Sequence, residues 1–358
     1  MIRFIARHRH IINTVIIIII IILFVYFAIK TKDIKAGTYN NKTYSGIAFG
    51  TAIKKTVFAE EDSVCDEIDD NIDKLLKSVD DELSYRLEDS ELAIFNRSYA
   101  AGGIYSLSPD IMRYLQEEME VYKETKGAFC PCILPLAKLW GIEDGSKEVP
   151  DKSAIDEVIK HIDADNIVIT DEGLTLNDGS MAIDFGAVGK GIAADKVIEE
   201  LSKSQAKGAV VSVGGTIATY GSKGADFMWH IGIQDPRAED GQVFAVLDVK
   251  GGNVVSTSGD YEKYFEKDGK RYHHIFDPKT GYPVDNGLIS VTIATENGFL
   301  SDALSTACFV MGVDEGLQYA ESKGVDAIFV TSDKKVYLTN GLKKRFHIKN
   351  DDYKIKKK

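Results

Sequence analysis

Residues 275–312 read IFDPKTGYPVDNGLISVTIATENGFLSDALSTACFVMG and join a tight turn, a strand over residues 289–294 and the start of a helix. Ser301 can act as the N-cap of that helix, which would place Asp302 and Thr306 on one face of its first turns. Carboxylate and hydroxyl oxygens suit Mg²⁺, which often binds substrate phosphates at the same time. The pair therefore indicates a magnesium site where the helix begins, and the alternative is that Asp302 merely caps the helix while Thr306 packs.

Just upstream, HHIFDPKTG (residues 273–281) has the pattern of a strand end that runs into a turn. Pro278 fixes its own φ and Gly281 tolerates a positive φ, so the turn is specified by these two residues. Neighbouring strand residues point to opposite faces, so His273 and His274 should face different sides of the strand. One histidine is thereby held at the mouth of a loop.

A third motif, AIDFGAVGKGIAADKV (residues 182–197), predicts a strand that ends at Asp184, a glycine-rich turn and an amphipathic helix. Glycines let the backbone approach a ligand closely, and the amides at a helix start attract anions. Lys190 is followed by Gly191 rather than by Ser or Thr, so this is not a Walker A loop, and it does not fit GxGxxG. The segment is a candidate phosphate-binding loop.

Several motifs occur in one order along the chain: FGT (49–51), SYRLEDSELAIFN (84–96), GAF (127–129), LAKLWG (136–141), DFGAVGKG (184–191), SVGGTIATYG (212–221), STSGDYEKYF (256–265), HHIFDPKTG (273–281) and SDALSTACFVMG (301–312). In this order and with these spacings, the chain resembles the ApbE flavin transferases, which are FAD:protein FMN transferases. The resemblance covers about residues 44–346.

The resemblance implies a reaction and a set of binding residues. It implies Mg²⁺-dependent transfer of FMN from FAD to a threonine hydroxyl of an exported or membrane flavoprotein, such as an electron-transport subunit, with release of AMP. It implies that Asp302, Thr306 and the backbone carbonyl of Ala187 hold Mg²⁺. It also implies FAD contacts from Phe49, Tyr85, Ala128, Phe129, Cys130, Asp184, Lys190 and His274.

Within that reaction a base near the acceptor hydroxyl can take its proton, and a histidine suits this role because its charge changes near neutral pH. We choose His274 as this catalytic base, with His273 as the competitor. Two other readings use the same cavity. One is a Mg²⁺-dependent FAD pyrophosphatase that gives FMN and AMP, and the other is a non-catalytic, membrane-tethered FAD-binding protein.

Three positions depart from the family pattern. Cys130 stands where an Asp is common, Thr216 stands where the family usually has Asp, and Phe49 replaces a Met beside the flavin. The last exchange keeps the apolar bulk. These departures change flavin contacts and leave the three implied metal ligands in place.

The N-terminal part carries a different signal. Residues 11–29 are apolar except for Asn13 and Thr14, and as a helix they would extend about 28 Å, close to the hydrocarbon thickness of a bilayer. The run exceeds an ordinary signal-peptide core and no small-residue cleavage motif follows it, which disfavours a cleaved signal. We expect a short cytoplasmic tail (1–10), a single transmembrane anchor (11–29), a linker (30–43) and an extracytoplasmic catalytic domain on the cell membrane.

Composition limits the partners and the fold class. The 358 residues carry 55 Asp+Glu against 43 Lys+Arg, a net charge of −12, which argues against nucleic acid as a partner. The catalytic domain should span residues 44–347, followed by a solvated basic tail (348–358). Four irregularly spaced cysteines define no disulfide framework, and Cys130 and Cys132 lack the further ligands that a zinc site needs.

Helical and strand patterns are mixed without strict alternation. Apolar residues recur at helical spacing from Val64 to Leu83, where Ser63 and Asp66 resemble a capping box, and Ser108 with Pro109 begins another helix that ends at Gly127. Residues 209–213, 243–249, 289–294 and 327–331 read as strands. We expect an α+β fold with largely antiparallel sheets flanked by helices, the ApbE-like, T-fold-like arrangement that the resemblance implies.

Overall fold

The computed structural model describes residues 39–142, 147–239 and 241–356. The predicted cytoplasmic tail, the transmembrane anchor and most of the linker lie outside the described residues. Within the described ranges, no helix combines the length and the apolar character that crossing a bilayer requires.

The described chain forms strands and helices in mixed order. The strands are β1 (Asn40–Ala48), β2 (Thr51–Ala59), β3 (Ile167–Thr170), β4 (Gly173–Leu176), β5 (Gly208–Val213), β6 (Thr216–Gly221), β7 (Met228–Gln234), β8 (Val243–Lys250), β9 (Val254–Gly259), β10 (Tyr264–Lys267), β11 (Lys270–His273), β12 (Leu288–Thr295), β13 (Asp326–Thr331), β14 (Lys335–Leu338), β15 (Phe346–Ile348) and β16 (Lys354–Ile355). The α-helices are α1 (Asp62–Leu83), α2 (Glu91–Ser98), α3 (Pro109–Glu124), α4 (Leu134–Trp140), α5 (Lys152–Val158), α6 (Gly189–Lys203) and α7 (Gly298–Lys323).

A nine-stranded sheet organises the fold, in the order β1-β2-β5-β6-β9-β12-β13-β14-β16. All its neighbouring pairs are antiparallel except β14 and β16, which are parallel. The strands β15, β8 and β7 form a second antiparallel sheet. The predicted α+β class with largely antiparallel sheets is therefore confirmed.

The large sheet is buried on both faces, which explains why some of its strands are continuously apolar. Along β9, Val254 belongs to the main core, where α6 and α7 pack on the sheet, and Val255 belongs to a second core shared with the smaller sheet. Along β13, Phe329 and Val330 divide in the same way. The alternation places α6 and α7 on the face that carries the candidate site.

Both ends of the described fold extend beyond the predicted boundaries. Strand β1 begins at Asn40, so residues 40–43 belong to the sheet rather than to the linker. At the other end, β16 pairs with β14 and Tyr353 is only 1% exposed, so much of the predicted solvated tail is part of the fold. Ring packing of Tyr353 against Phe244 helps to hold this segment.

Most predicted elements are confirmed, since β5, β8, β12 and β13 contain the four predicted strands. Ser108 caps α3 by accepting from the Ile111 N–H, as predicted. The capping box at Ser63 and Asp66 is wrong because α1 begins at Asp62, with Glu61 as its N-cap.

Two expectations near the site are also wrong. Helix α7 begins at Gly298 with Asn297 as its N-cap, so Ser301 lies inside the helix. Its hydroxyl oxygen lies 2.9 Å from the Ile293 carbonyl oxygen and 3.2 Å from that of Val254. The segment before Asp184 is not a strand because the Asn96 side chain, rather than a neighbouring strand, bonds the Ile183 backbone.

Candidate active site

A cavity of about 260 Å³ lies at the point where the predicted motifs meet. Its lining includes every predicted Mg²⁺ ligand and FAD contact: Phe49, Tyr85, Ala128, Phe129, Cys130, Asp184, Ala187, Lys190, His274, Asp302 and Thr306. These residues come from separate segments between the β1–β2 turn and α7. The structure thus brings the whole predicted set into one cavity.

Two glycines allow α6 and α7 to touch at the cavity. A Cβ built on Gly191 would lie 2.1 Å from the Gly298 carbonyl oxygen, and one on Gly298 would lie 2.3 Å from the Gly191 carbonyl oxygen. Asp195 strengthens the contact because its carboxylate accepts from the N–H groups of Gly298 and Phe299, at 2.6 and 2.9 Å. These amides are among those that a helix start leaves without an internal partner. The junction fixes the start of α7 against the start of α6.

Asp302 lies in the second turn of α7, 4% exposed, and both of its oxygens accept hydrogen bonds. Oδ2 accepts from the Gly191 N–H at 3.0 Å, and Oδ1 accepts from the Thr216 hydroxyl at 3.2 Å. Burial raises the pKa of the Asp302 carboxyl, while Lys190, with its Nζ 3.8 Å from Oδ2, offsets part of the shift. The carboxylate is thus held in position but only partly compensated in charge.

Thr306 lies one turn further along α7 and is linked to the sheet through hydroxyl groups. Ser258 Oγ, on β9, is 3.2 Å from Thr306 Oγ1 and 2.8 Å from Ser305 Oγ. Ser305 Oγ in turn donates to the backbone carbonyl of Asp302 at 2.8 Å. A chain of three hydroxyls therefore runs from the cavity back into the helix.

The residues present fit a hard cation. No group of three or more His, Cys, Asp or Glu side chains within the described ranges is arranged to hold a metal ion. The cavity instead offers a carboxylate from Asp302, a hydroxyl from Thr306 and the backbone of Ala187. Oxygen donors are the ligands that Mg²⁺ takes, usually with waters and substrate phosphates completing the shell. A cation here would also compensate the buried Asp302 charge.

The glycine-rich loop forms another part of the lining. Asp184 Oδ1 accepts from the Gly186 N–H at 2.7 Å, which closes a tight turn before α6 begins at Gly189. Phe49 faces this loop from the β1–β2 turn, where it has a φ of 53° and its N–H donates to Asp80 Oδ2 at 2.9 Å. That bond helps to hold Phe49 in a backbone conformation that non-glycine residues rarely adopt, and so helps to position its aromatic ring.

The two adjacent histidines have different surroundings. His273 is 4% exposed, with Nδ1 accepting from the Ile275 N–H and Nε2 bonded to the Val284 carbonyl, and burial lowers its pKa. His274 lines the cavity, and its Nδ1 lies 3.3 Å from the Lys263 carbonyl oxygen. A carbonyl only accepts, so Nδ1 carries the proton and Nε2 carries the lone pair of the neutral ring. The predicted division between the two faces of the strand is confirmed.

The turn after His274 is held by contacts with Trp140, a residue of another segment. Gly281 has a φ of 73°, its N–H donates to the Asp277 carbonyl, and its own carbonyl accepts from the Trp140 indole at 2.8 Å. The Trp140 ring also stacks on Tyr272 in β11. The motif LAKLWG thus positions the histidine loop.

Cys130 and its neighbours differ from the rest of the lining. Cys130 Sγ is 3.5 Å from Cys132 Sγ and 3.5 Å from the Ile162 carbonyl oxygen, and both thiols are free. The hydrogen bond with Cys130 and burial raise the pKa of the Cys132 thiol. Glu118, on α3, is fully buried, and neither carboxylate oxygen has a hydrogen-bond partner among the described residues. Burial raises the pKa of Glu118 well above its usual value, with Asp184 and Cys130 acting in the same direction.

Sequence reasoning missed Asp195, Ser258, Ser305 and Glu118. Ser258 and Ser305 lie inside quoted motifs, yet nothing local showed that they would meet. Glu118 had a signal, because it follows Ile111 by seven positions on the inward stripe of a helix. That spacing predicts burial of an acid.

Comparison with known proteins gives an independent assignment. The ApbE family profile matches residues 49–329. An FAD:protein FMN transferase of Treponema pallidum is 33% identical over 290 residues, covering 76% of this chain and 80% of that protein. One from Klebsiella pneumoniae is 29% identical over 316 residues, covering 87% and 96%.

Solved structures agree with the sequence matches. The ApbE protein of Thermotoga maritima superposes with a TM-score of 0.77 at 30% identity, covering 84% of this chain and 98% of that one. The apo form of Pseudomonas stutzeri flavinyl transferase ApbE gives a TM-score of 0.73 at 27% identity, covering 84% and 95%. Family profile, relatives and fold together show that this chain belongs to the ApbE family.

Proposed function

We propose that this chain is an FAD:protein FMN transferase that moves FMN from FAD to a threonine hydroxyl of a target flavoprotein, with AMP as the second product. The observation that supports this most is the convergence of all eleven predicted residues on one cavity, in a chain that belongs to the ApbE family.

Asp302, Thr306 and the backbone carbonyl of Ala187 would hold Mg²⁺ in this proposal. The bound ion would neutralise charge on the pyrophosphate of FAD as the bond between the two phosphates breaks. Lys190 supplies a further positive charge close to Asp302, and the amides at the start of α6 suit an anionic phosphate. Phe49, Tyr85 and the segment 128–130 would contact the remainder of the dinucleotide.

His274 is the proposed base. Its Nε2 would accept the proton of the acceptor threonine as the threonine oxygen bonds to the phosphorus of the FMN half. AMP then leaves with the electron pair of the broken P–O bond. The Lys263 carbonyl keeps the proton of the neutral ring on Nδ1, so the lone pair stays on Nε2.

The location is part of the proposal and rests on sequence alone. The apolar run over residues 11–29 would anchor the chain in the cell membrane, with the catalytic domain extracytoplasmic, where it would meet an exported or membrane flavoprotein. Separation of membranes from soluble protein, with and without residues 1–38, tests the anchor.

The reaction is tested by incubating the protein with FAD, Mg²⁺ and a candidate acceptor. We expect a fluorescent flavin band on the acceptor in a denaturing gel, the mass of FMN on one threonine peptide and an equal amount of AMP. Free FMN and AMP without a labelled acceptor would identify a pyrophosphatase instead. Intact FAD retained with no AMP would identify a binding protein.

A further inference from the structure

The hydroxyl chain behind Thr306 has only one consistent direction. A hydroxyl has one hydrogen to donate and can accept through its lone pairs. Ser305 donates its hydrogen to the backbone carbonyl of Asp302, which can only accept. Ser305 must therefore accept in its 2.8 Å contact with Ser258.

The same reasoning identifies the donor and the acceptor in the contact between Ser258 and Thr306, at the cavity. Ser258 gives its hydrogen to Ser305, so in its 3.2 Å contact with Thr306 it accepts. Thr306 thus points its own hydrogen at Ser258. The reverse direction would need a second hydrogen on Ser305.

We infer that Ser258 and Ser305 are positioning residues that turn the Thr306 hydroxyl so that its lone pairs, and not its hydrogen, are presented to a cation in the cavity. This inference rests on the magnesium site of the proposed function. A hydroxyl ligand binds a metal through a lone pair, so a hydrogen pointing at the ion would oppose binding. Ser305 is fully buried and Ser258 is half-buried. Water therefore competes little for the inner end of the chain.

The geometry also links the two side-chain ligands. The chain of hydroxyls ends on the backbone carbonyl of Asp302, whose carboxylate is the other proposed side-chain ligand. Ser258 belongs to β9. The relay of three hydroxyls (Ser258, Ser305 and Thr306) therefore attaches to the sheet the turn of α7 that carries the proposed ligands, and it also orients Thr306. Loss of Ser258 should weaken metal binding while leaving the FAD-contacting residues in place.

The test measures binding of Mn²⁺, a paramagnetic substitute for Mg²⁺, by the EPR signal of the free ion, with FAD present and no acceptor. For Ser258→Ala we expect affinity to fall by about five- to tenfold, the effect of one hydrogen bond, with Ser305→Ala intermediate. The matched control is Ser256→Ala, on the same strand, since Ser256 Oγ is buried with no hydrogen-bond partner among the described residues. Its affinity should stay within about twofold of the starting protein, as for changes that break no interaction.

FAD affinity and melting temperature are recorded for every variant, because a purely structural defect would alter these too. Unchanged Mn²⁺ affinity in Ser258→Ala, or an equal loss in Ser256→Ala, overturns the inference while the proposed function stands. Failure of the unmodified protein to bind Mn²⁺ would overturn the proposed magnesium site, and the relay with it.

Discussion

Two parts of the cavity wall differ in how well their polar side chains are hydrogen-bonded. The polar wall consists of Lys190, Ser258, His274, Asp302 and Thr306, and each of the last four has a hydrogen bond that fixes it. The thiol wall consists of residues 128–130 with Cys132 and Glu118 buried beside them. There, Glu118 has no hydrogen-bond partner within the described ranges, and Cys130 Sγ lies 3.5 Å from both Cys132 Sγ and the Ile162 carbonyl oxygen.

The difference distinguishes a buried acid whose oxygens are hydrogen-bonded next to the cavity from a buried acid that has no such partners. Asp302 and Glu118 are both buried acids whose pKa is raised by burial, but only Asp302 has amide, hydroxyl and lysine partners. A buried charge without such partners is costly, whereas a fixed and partly compensated one can bind a cation. Asp302 in the polar wall is therefore expected to control the rate, and Glu118 beside the thiol wall is expected to control stability.

The largest effect should come from the histidines. His274→Ala is expected to lower transfer by about 10²- to 10⁴-fold, the usual contribution of an aligned base, with FAD binding mostly intact. His273→Ala is the control, because it removes a buried ring bonded to Val284 and should lower the melting temperature more than the rate per folded molecule. Single-turnover rates with saturating FAD measure the first effect. Unchanged turnover of His274→Ala would remove it from the mechanism.

The two buried acids allow a direct comparison of the walls. Asp302→Asn should lower transfer by about 10²- to 10³-fold, as for other lost transition-state contacts, and should abolish the Mg²⁺ dependence. Glu118→Gln, an equally small change, should keep transfer near the starting rate. A similar loss of activity in both variants would contradict the division between the walls.

The pH dependence of the free energy of unfolding should reveal the raised pKa of Glu118. Its pKa is raised in the folded protein above 4.5, so below that pH both states are protonated and burial adds no ionisation cost. As pH rises above 4.5, the unfolded chain loses this proton first. The free energy of unfolding therefore falls by up to about 1.4 kcal/mol per pH unit until the folded-state pKa is reached.

Urea unfolding between pH 4 and pH 8 measures this slope, and Glu118→Gln should remove it. The difference between the two proteins isolates one carboxyl from all the others. Parallel curves would show that Glu118 finds a partner when folded.

The smallest effect is expected at Cys130. Its sulfur already contacts Cys132 and the Ile162 carbonyl, so Cys130→Ser keeps a donor in the same place. The KM for FAD should change by less than about threefold, below the effect of an ordinary hydrogen bond. A larger change would show that the Cys130 sulfur itself, and not only the backbone of this segment, contacts the dinucleotide.

Local patterns singled out only part of the candidate site, where the spacings are short, and the remaining candidate residues followed from the resemblance to the ApbE family. The interval between Asp302 and Thr306, the Pro278 and Gly281 turn, and the alternation of His273 with His274 are all readable within a few residues. The fold class followed similarly from strand and helix patterns. The start of α7 was misplaced because Asn297 and Ser301 are both good capping residues, and only packing decides between them.

Long-range pairs could not be predicted in the same way. Thr216 and Asp302 are 86 positions apart, and Ser258 and Thr306 are 48 positions apart. Their contacts depend on the crossing of α7 over the sheet, which no local spacing records. Asp195 was missed for the same reason, since its contact with the start of α7 depends on how α6 packs against α7.

The contact between Gly191 and Gly298 also limits how this chain can change by mutation. Each position faces the other's carbonyl oxygen at a distance where even one methyl group has no room. An alanine at either site would push the two helices apart, and a second alanine would add to the displacement instead of correcting it. We therefore expect both positions to accept only glycine for as long as the two helices meet at this distance.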